Sequence, residues 1–158
     1  MIPVIIESPF AGDVERNKAY LQECIRHAVR NGETPYASHQ MLTDALDDLD
    51  PAERKLGIDA GLALGDVIVS AGGKHIFYLD LEMSNGMCYA LEHAASLGRT
   101  VEFRWLSGSL SEYTMAAAFP ARYIVDGTPI AKTPLFGAAR SHYLKAKIRR
   151  DAKKGGEE

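Results

Sequence analysis

The chain has 158 residues, of which 46% are hydrophobic, 25% charged and 8% aromatic, and its formal net charge is −3. That length suits one domain around a single sizeable core, and the composition is that of an ordinary globular protein. The charge balance supports neither a nucleic-acid-binding protein nor a membrane-surface protein.

Val4-Ile5-Ile6 is a short continuous apolar run, the pattern of a strand buried on both faces of a parallel sheet. Glu7-Ser8-Pro9-Phe10-Ala11-Gly12 follows as a loop, and Asp13 is placed to cap the next helix. Leu21, Cys24, Ile25, Ala28 and Val29 recur at helical spacing until Gly32 ends the run. Thr34 to Ala37 reads as a short second strand, and Ser38 to Leu49 as a polar loop with room for one helical turn. Asp50-Pro51-Ala52-Glu53 is a helix start, with an N-cap acid, Pro at the first helical position and Glu at the third. Leu56, Ala60 and Leu64 share a face of that helix. Val67-Ile68-Val69 either continues it or forms a strand, and Ala71-Gly72-Gly73 closes either element.

His75 to Leu79 reads as the third strand, closed by Asp80. Ser84-Asn85-Gly86-Met87 then leads into a helix from about Met87 to Leu97, with Ser84 as its cap and Gly98 as its stop. Thr100 to Trp105 is a fourth strand whose alternation puts Val101, Phe103 and Trp105 on one face. Farther on, the pattern predicts a helix over Ser111 to Phe119, a hairpin of Arg122–Val125 and Thr128–Ile130 about an Asp126-Gly127 turn, and a terminal helix from Ser141 to Lys154. The stretch from Lys145 to Lys154 carries the chain's run of basic residues and reads as a solvated helix end.

Strand–helix units in this order predict an α/β three-layer sandwich. Its sheet is mostly parallel with helices on both faces, and a C-terminal hairpin and helix are added. Ligands of such sheets bind beyond the carboxyl ends of the strands. Three loops lie at that edge: Glu7 to Gly12, Ala37 to Thr43 and Asp80 to Gly86. Cys24 and Cys88 fall in helix-like segments among apolar neighbours, which predicts buried thiols in a reducing compartment rather than a disulfide framework. The opening Met1 to Ile6 lacks the basic flank of a signal peptide, and no segment reaches membrane-spanning length, so the expected location is cytoplasmic. No pair of histidines shares a metal-ligand spacing with a third ligand, and neither a metal nor a cofactor is expected.

Ser8-Pro9-Phe10 after the first strand, Asn17 on the first helix, and Asp80 followed by Ser84-Asn85-Gly86-Met87, Ala94, Leu97-Gly98 and Val101 form an ordered set. So do Pro35-Tyr36-Ala37-Ser38-His39 and the helix carrying Arg54, Gly57-Ile58 and Ala60-Gly61. Over residues 4–106 the chain resembles the nucleoside 2-deoxyribosyltransferase family and its small phage-encoded relatives. The resemblance implies a flavodoxin/Rossmann-like core over 1–106, with 107–158 as a C-terminal extension packed on the same domain. It also implies a nucleoside or nucleotide ligand, reaction at an N-glycosidic bond, a homo-oligomer, and the host cytoplasm as location. In one respect the chain departs from the family: the nucleophilic Glu expected four residues after Gly86 is Ala90, and the nearest carboxylate is Glu92. A covalent glycosyl-enzyme needs a carboxylate against the anomeric carbon, which alanine cannot supply.

The candidate acids are therefore Asp80, Glu7 and Glu92. Ser8, Pro9, Phe10, Asn17, His39, Ser84, Asn85, Gly86 and Met87 are the candidate ligand contacts. Ser8 suits a phosphate or hydroxyl, Phe10 a stacked base, and His39 a base, a phosphate or a proton shuttle near neutral pH. Arg54 either crosses toward an anion or pairs with Asp50. Two expectations of function follow. One is an enzyme that cleaves or transfers at an N-glycosidic bond, as deoxyribosyltransferase or N-glycoside hydrolase. The other is an inactive relative that keeps the pocket and holds a nucleotide, such as a host nucleotide signal, without turnover.

Overall fold

The structure is a computed structural model that describes residues 1–106, 122–125, 128–130, 144–145, 148–149 and 152–153. Its elements run β1 (Ile2–Glu7), α1 (Val14–Arg30), β2 (Glu33–Tyr36), α2 (Ser38–Ala45), α3 (Pro51–Ser70), β3 (Lys74–Tyr78), α4 (Asn85–Ser96), β4 (Thr100–Arg104), β5 (Arg122–Val125) and β6 (Thr128–Ile130). The strands form one sheet in the order β2-β1-β3-β4-β5-β6. The first five are parallel, and β6 returns antiparallel to β5 with Tyr123 opposite Ile130. The expected hairpin strands are therefore present. Its Asp126-Gly127 turn and the helix expected over Ser111 to Phe119 lie outside the described residues. Positions 144–145, 148–149 and 152–153 of the expected terminal helix are helical.

Alternation along the strands divides the core between two faces. Val4 and Ile6 of β1 and Ile76 and Tyr78 of β3 pack with Leu21, Cys24 and Ala28 of α1. On the other face Phe77, Leu79, Val101, Phe103 and Trp105 pack with Met87, Leu91 and Ala94 of α4, and Leu62 of α3 joins them. Successive strands β1, β3 and β4 step across the sheet in one direction while β2 lies on the far side of β1. Right-handed crossovers then demand α1 on one face and α3 and α4 on the other, which is the arrangement observed. The result is a three-layer, flavodoxin-like α/β fold. Both thiols are buried and unbridged, and burial pushes the Cys24 thiol up to about 12.

Helix caps follow the local chemistry. Asp13 accepts from the Arg16 N–H at the start of α1, and Asp50 from the Ala52 N–H at the start of α3. Glu53 reaches farther back than the ordinary capping box, to the N–H of Asp47 at 2.6 Å. Because Asp50 is engaged as a cap, Arg54 pairs with Asp48 instead. Val67-Ile68-Val69 continues α3 rather than forming a strand, since the helix closes only when the Ala71 N–H meets the Val67 carbonyl.

One expectation is overturned. The stretch after β2 is an eight-residue helix, α2, and not a loop. Ser38, Leu42 and Leu46 recur every four residues and lie against Gly61 and Gly57 of α3. Such a short helix takes its stability from that docking rather than from propensity, so little of it shows in local sequence. Gly57, Gly61 and Gly65 form a seam along α3. A Cβ at Gly61 would lie 2.7 Å from Ser38 Oγ and 3.0 Å from Ser38 Cβ, and one at Gly65 would lie 2.9 Å from Ile5 Cδ1. A Cβ at Gly57 meets nothing nearer than 3.4 Å.

Two consequences are measurable by urea unfolding. Gly61→Ala is expected to destabilise by about 1–2 kcal/mol through overpacking against α2, whereas Gly57→Ala gains about 0.5–1 kcal/mol of helix propensity. The same sign for both variants contradicts the seam. Separately, Arg104 donates to both carboxylate oxygens of Glu33 at 2.7 Å and through Nε to Glu102 at 2.7 Å, all buried. Arg104→Met leaves two buried acids short of their cation, and a loss of about 3–5 kcal/mol is expected.

Candidate functional site

The strand order reverses between β1 and β3. The loop after β1 leads to α1 on one face, and the loop after β3 leads to α4 on the other. In an order of this kind a crevice at the carboxyl edge between these two strands is the usual ligand position. The first loop delivers Glu7, Ser8, Pro9 and Phe10 to it, the second delivers Asp80 to Ser84, and α2 begins at the same edge just after β2.

Ser8 and His39 meet there, with Ser8 Oγ 3.0 Å from His39 Nε2. The other ring nitrogen of His39, Nδ1, is buried and has no hydrogen-bond partner. Phe10 sits edge-on to the His39 ring, with centroids 6.1 Å apart, and Lys18 Nζ lies 5.7 Å from the Phe10 centroid. Glu7 is buried at the end of β1, where its Oε1 accepts from His75 Nε2 at 3.1 Å. Pro9 is buried as well. Asn17 reaches the same loop from α1 and donates to the carbonyls of Phe10 and Ala11, both at 3.0 Å. Its side-chain amide thus fixes the loop's backbone.

Asp80 closes β3 in a different setting. Its Oδ2 accepts from the Tyr20 hydroxyl at 2.7 Å and from the Leu106 N–H at 2.8 Å. The Tyr20 oxygen in turn accepts from the Asp80 N–H at 3.1 Å. Burial, the neighbouring Cys24 and the Asp80 carboxylate all hold the Tyr20 hydroxyl in its protonated form. Asp80 therefore ties α1 and the end of β4 to the β3 loop. Ser84 caps α4 as its sequence position implies: its Oγ accepts from the Met87 N–H at 3.3 Å, and its own N–H donates to Met87 Sδ at 3.5 Å. Asn85, Gly86 and Met87 form the first turn behind that cap. Glu82, in the same loop, is paired with Lys145 and Arg149 of the terminal basic stretch, which hold its carboxyl below the usual range.

Glu92 stands apart from Glu7 and Asp80. It lines an open groove of about 390 Å³ between α3 and α4, together with Ile58, Asp59, Leu62, Tyr89, His93 and Ser96. Ala90, at the position of the family nucleophile, is 3% exposed and packs within the α4-side hydrophobic core. Between groove and sheet, Asp66 accepts from His93 Nε2 at 2.9 Å and from Arg99. Partial burial opposes ionisation of Asp66, but these two donors outweigh it and hold the carboxyl below its ordinary value. Beneath them a cavity of about 10 Å³ lies against Glu7 and His75. It has room for about one water.

The structure brings Ser8, Phe10, His39 and Glu7 together, with Asn17 behind them. It places Asp80 and the capped Ser84–Met87 turn on the neighbouring loop, and sends Glu92 elsewhere. Three participants escape the sequence argument: His75 as the partner of Glu7, Tyr20 as the partner of Asp80, and the start of α2. Lone His and Tyr residues on core-facing positions carry no local mark of such pairing; only the strand register, Ile5 opposite His75, creates it. Among the described residues no group of three or more His, Cys, Asp or Glu is arranged to hold a metal ion. None of their helices is long and apolar enough to cross a membrane.

Burial pushes the His39 imidazole below its ordinary value, and the nearby Glu7 charge opposes that shift only in part. A histidine whose folded pKa is depressed is protonated first in the unfolded chain, near pH 6.5. Its contribution to stability is therefore present above that pH and is lost as the pH falls. Between pH 7.5 and 5.5, urea midpoints of the wild type are expected to drop more steeply than those of His39→Gln. Parallel slopes for the two proteins contradict this assignment.

No curated protein and no solved structure matches the chain. A family profile does match, over residues 2–104, and its description is "Domain of unknown function (DUF7768)". The match ends at the last residue of β4, and so takes in the four strands and four helices that frame the crevice. The chain belongs to the DUF7768 family.

Proposed function

We propose that the protein binds a nucleoside or nucleotide at the carboxyl edge of β1 and β3 and releases it unchanged. The observation that carries this reading is the meeting of Ser8 with His39, which leaves a buried ring nitrogen without a partner beside Phe10. A buried polar atom without a partner is costly, and a bound ligand is one way to satisfy it. Phe10 offers an aromatic face to a base, and Ser8 a hydroxyl to a sugar or phosphate. The motif resemblance over residues 4–106 supports a ligand of this class.

The same geometry argues against covalent glycosyl transfer. Ala90 is buried in the apolar core, and the three acids serve three separate elements. One observation favours the second reading, cleavage of the N-glycosidic bond. Glu7 leads into the loop that carries Ser8, so it is a carboxylate beside the proposed ligand position.

Incubation with deoxynucleosides, deoxynucleotides and ADP-ribose-type compounds separates the readings. The expected result is a rise in Tm with at least one of them, and its recovery intact after denaturation. At a ligand concentration of 100 Kd the stabilisation is about 2.7 kcal/mol, or roughly 5–10 °C for a chain of this size. Release of free base that is abolished in Glu7→Gln establishes the cleavage reading instead. No shift and no base from any compound overturns both.

A further inference from the structure

We infer that the terminal basic stretch is a strap, tied to the carboxyl edge of the sheet by the single carboxylate of Glu82 and released by salt. Its hold on that edge does not depend on any ligand bound there.

Glu82 sits in the loop between β3 and α4, two residues past Asp80. Lys145 Nζ lies 3.5 Å from its Oε1, and Arg149 Nη1 lies 3.0 Å from its Oε2. The described positions of the terminal stretch are helical, and residues four apart on a helix share a face. Two cations of one face therefore meet the two oxygens of one carboxylate, from 63 and 67 positions away in the chain. A contact over such a separation docks one segment on another.

The hold is ionic rather than apolar. Leu144 and Ile148 each stand one position before a cation, and they are 39% and 68% exposed, so they bury little surface against the core. The three charged side chains are half-exposed or more. Ion pairs so open to water are each weak, and salt screens them. One of the two partners is fixed. Asp80 at one end of the loop is bonded to Tyr20 and to the Leu106 N–H, and Ser84 at the other end caps α4. Met83, beside Glu82, is buried. Glu82 is thus a post on a pinned loop, and release moves the terminal stretch while the loop keeps its place.

The test is limited trypsin digestion of the full chain, with cleavage after Lys145 and Arg149 followed by mass spectrometry. Glu82→Gln removes the post, and Asp59→Asn makes the same change of net charge at an exposed acid elsewhere. At about 20 mM NaCl the wild type and Asp59→Asn are expected to be cut about three- to tenfold more slowly than Glu82→Gln. At about 0.5 M NaCl, where screening is strong, all three are expected to be cut at one rate. Equal rates for the wild type and Glu82→Gln at low salt overturn the strap. A difference that persists at high salt overturns its ionic hold. Asp59→Asn cut as fast as Glu82→Gln shows an effect of net charge alone, and overturns the role of Glu82.

Discussion

Arg104 holds the sheet together across the place where it is meant to open. From β4 it reaches over β3 and β1 to Glu33 on β2, gripping both carboxylate oxygens, and its Nε binds Glu102 beside it. Lys74 of β3 completes the set at 2.7 Å from Glu33, so two acids face two bases. Burial and these acids together leave Arg104 protonated at any ordinary pH. A buried ion cluster of this kind roughly breaks even against apolar packing, so it is poor evidence of extra stability. Its stronger effect is on register. A slip of one residue in β4 would turn Arg104 to the α4 face, against Met87 and Leu91, turn Phe103 away from them, and leave Glu33 buried without its cation. The strands on either side of the crevice are thereby locked to one another from beneath.

The parts of the fold that could be read from the sequence were those written in local pattern. Val4-Ile5-Ile6 is continuous because both faces of β1 are covered. Asp13, Asp50 and Ser84 cap because their oxygens reach N–H groups two or three residues on. Ser38, Leu42 and Leu46 were not legible as a helix, because their partners are glycines of α3 and the cap is an alanine. The site was legible to the extent that topology decides it: any parallel sheet gathers its carboxyl-end loops, so Ser8, His39 and Asp80 belonged to one edge. What each side chain does there depends on register and on residues far along the chain. Tyr20 lies 60 positions from Asp80 and His75 lies 68 from Glu7.

The acids show why a motif is weaker evidence for a reaction than for a pocket. Glycosidic cleavage by paired carboxylates needs the two groups on either side of one bond, roughly 5–10 Å apart. Here Glu7 is bound to His75 within the sheet, Asp80 anchors Tyr20 and Leu106, and Glu92 looks into the groove between α3 and α4. The three carboxylates are thus spread over three places and not paired about one.

The glycine seam of α3 has a consequence for how this edge can change over time. The approach of α2 to α3 and of α3 to β1 is set by atoms that are absent, at Gly61 and Gly65 respectively. A side chain added at those positions can only push α2 from α3, or α3 from β1. The seam acts as a ratchet on the geometry of the crevice. Sequence change at this edge is thereby channelled to the loop tips, while the spacing beneath them stays fixed.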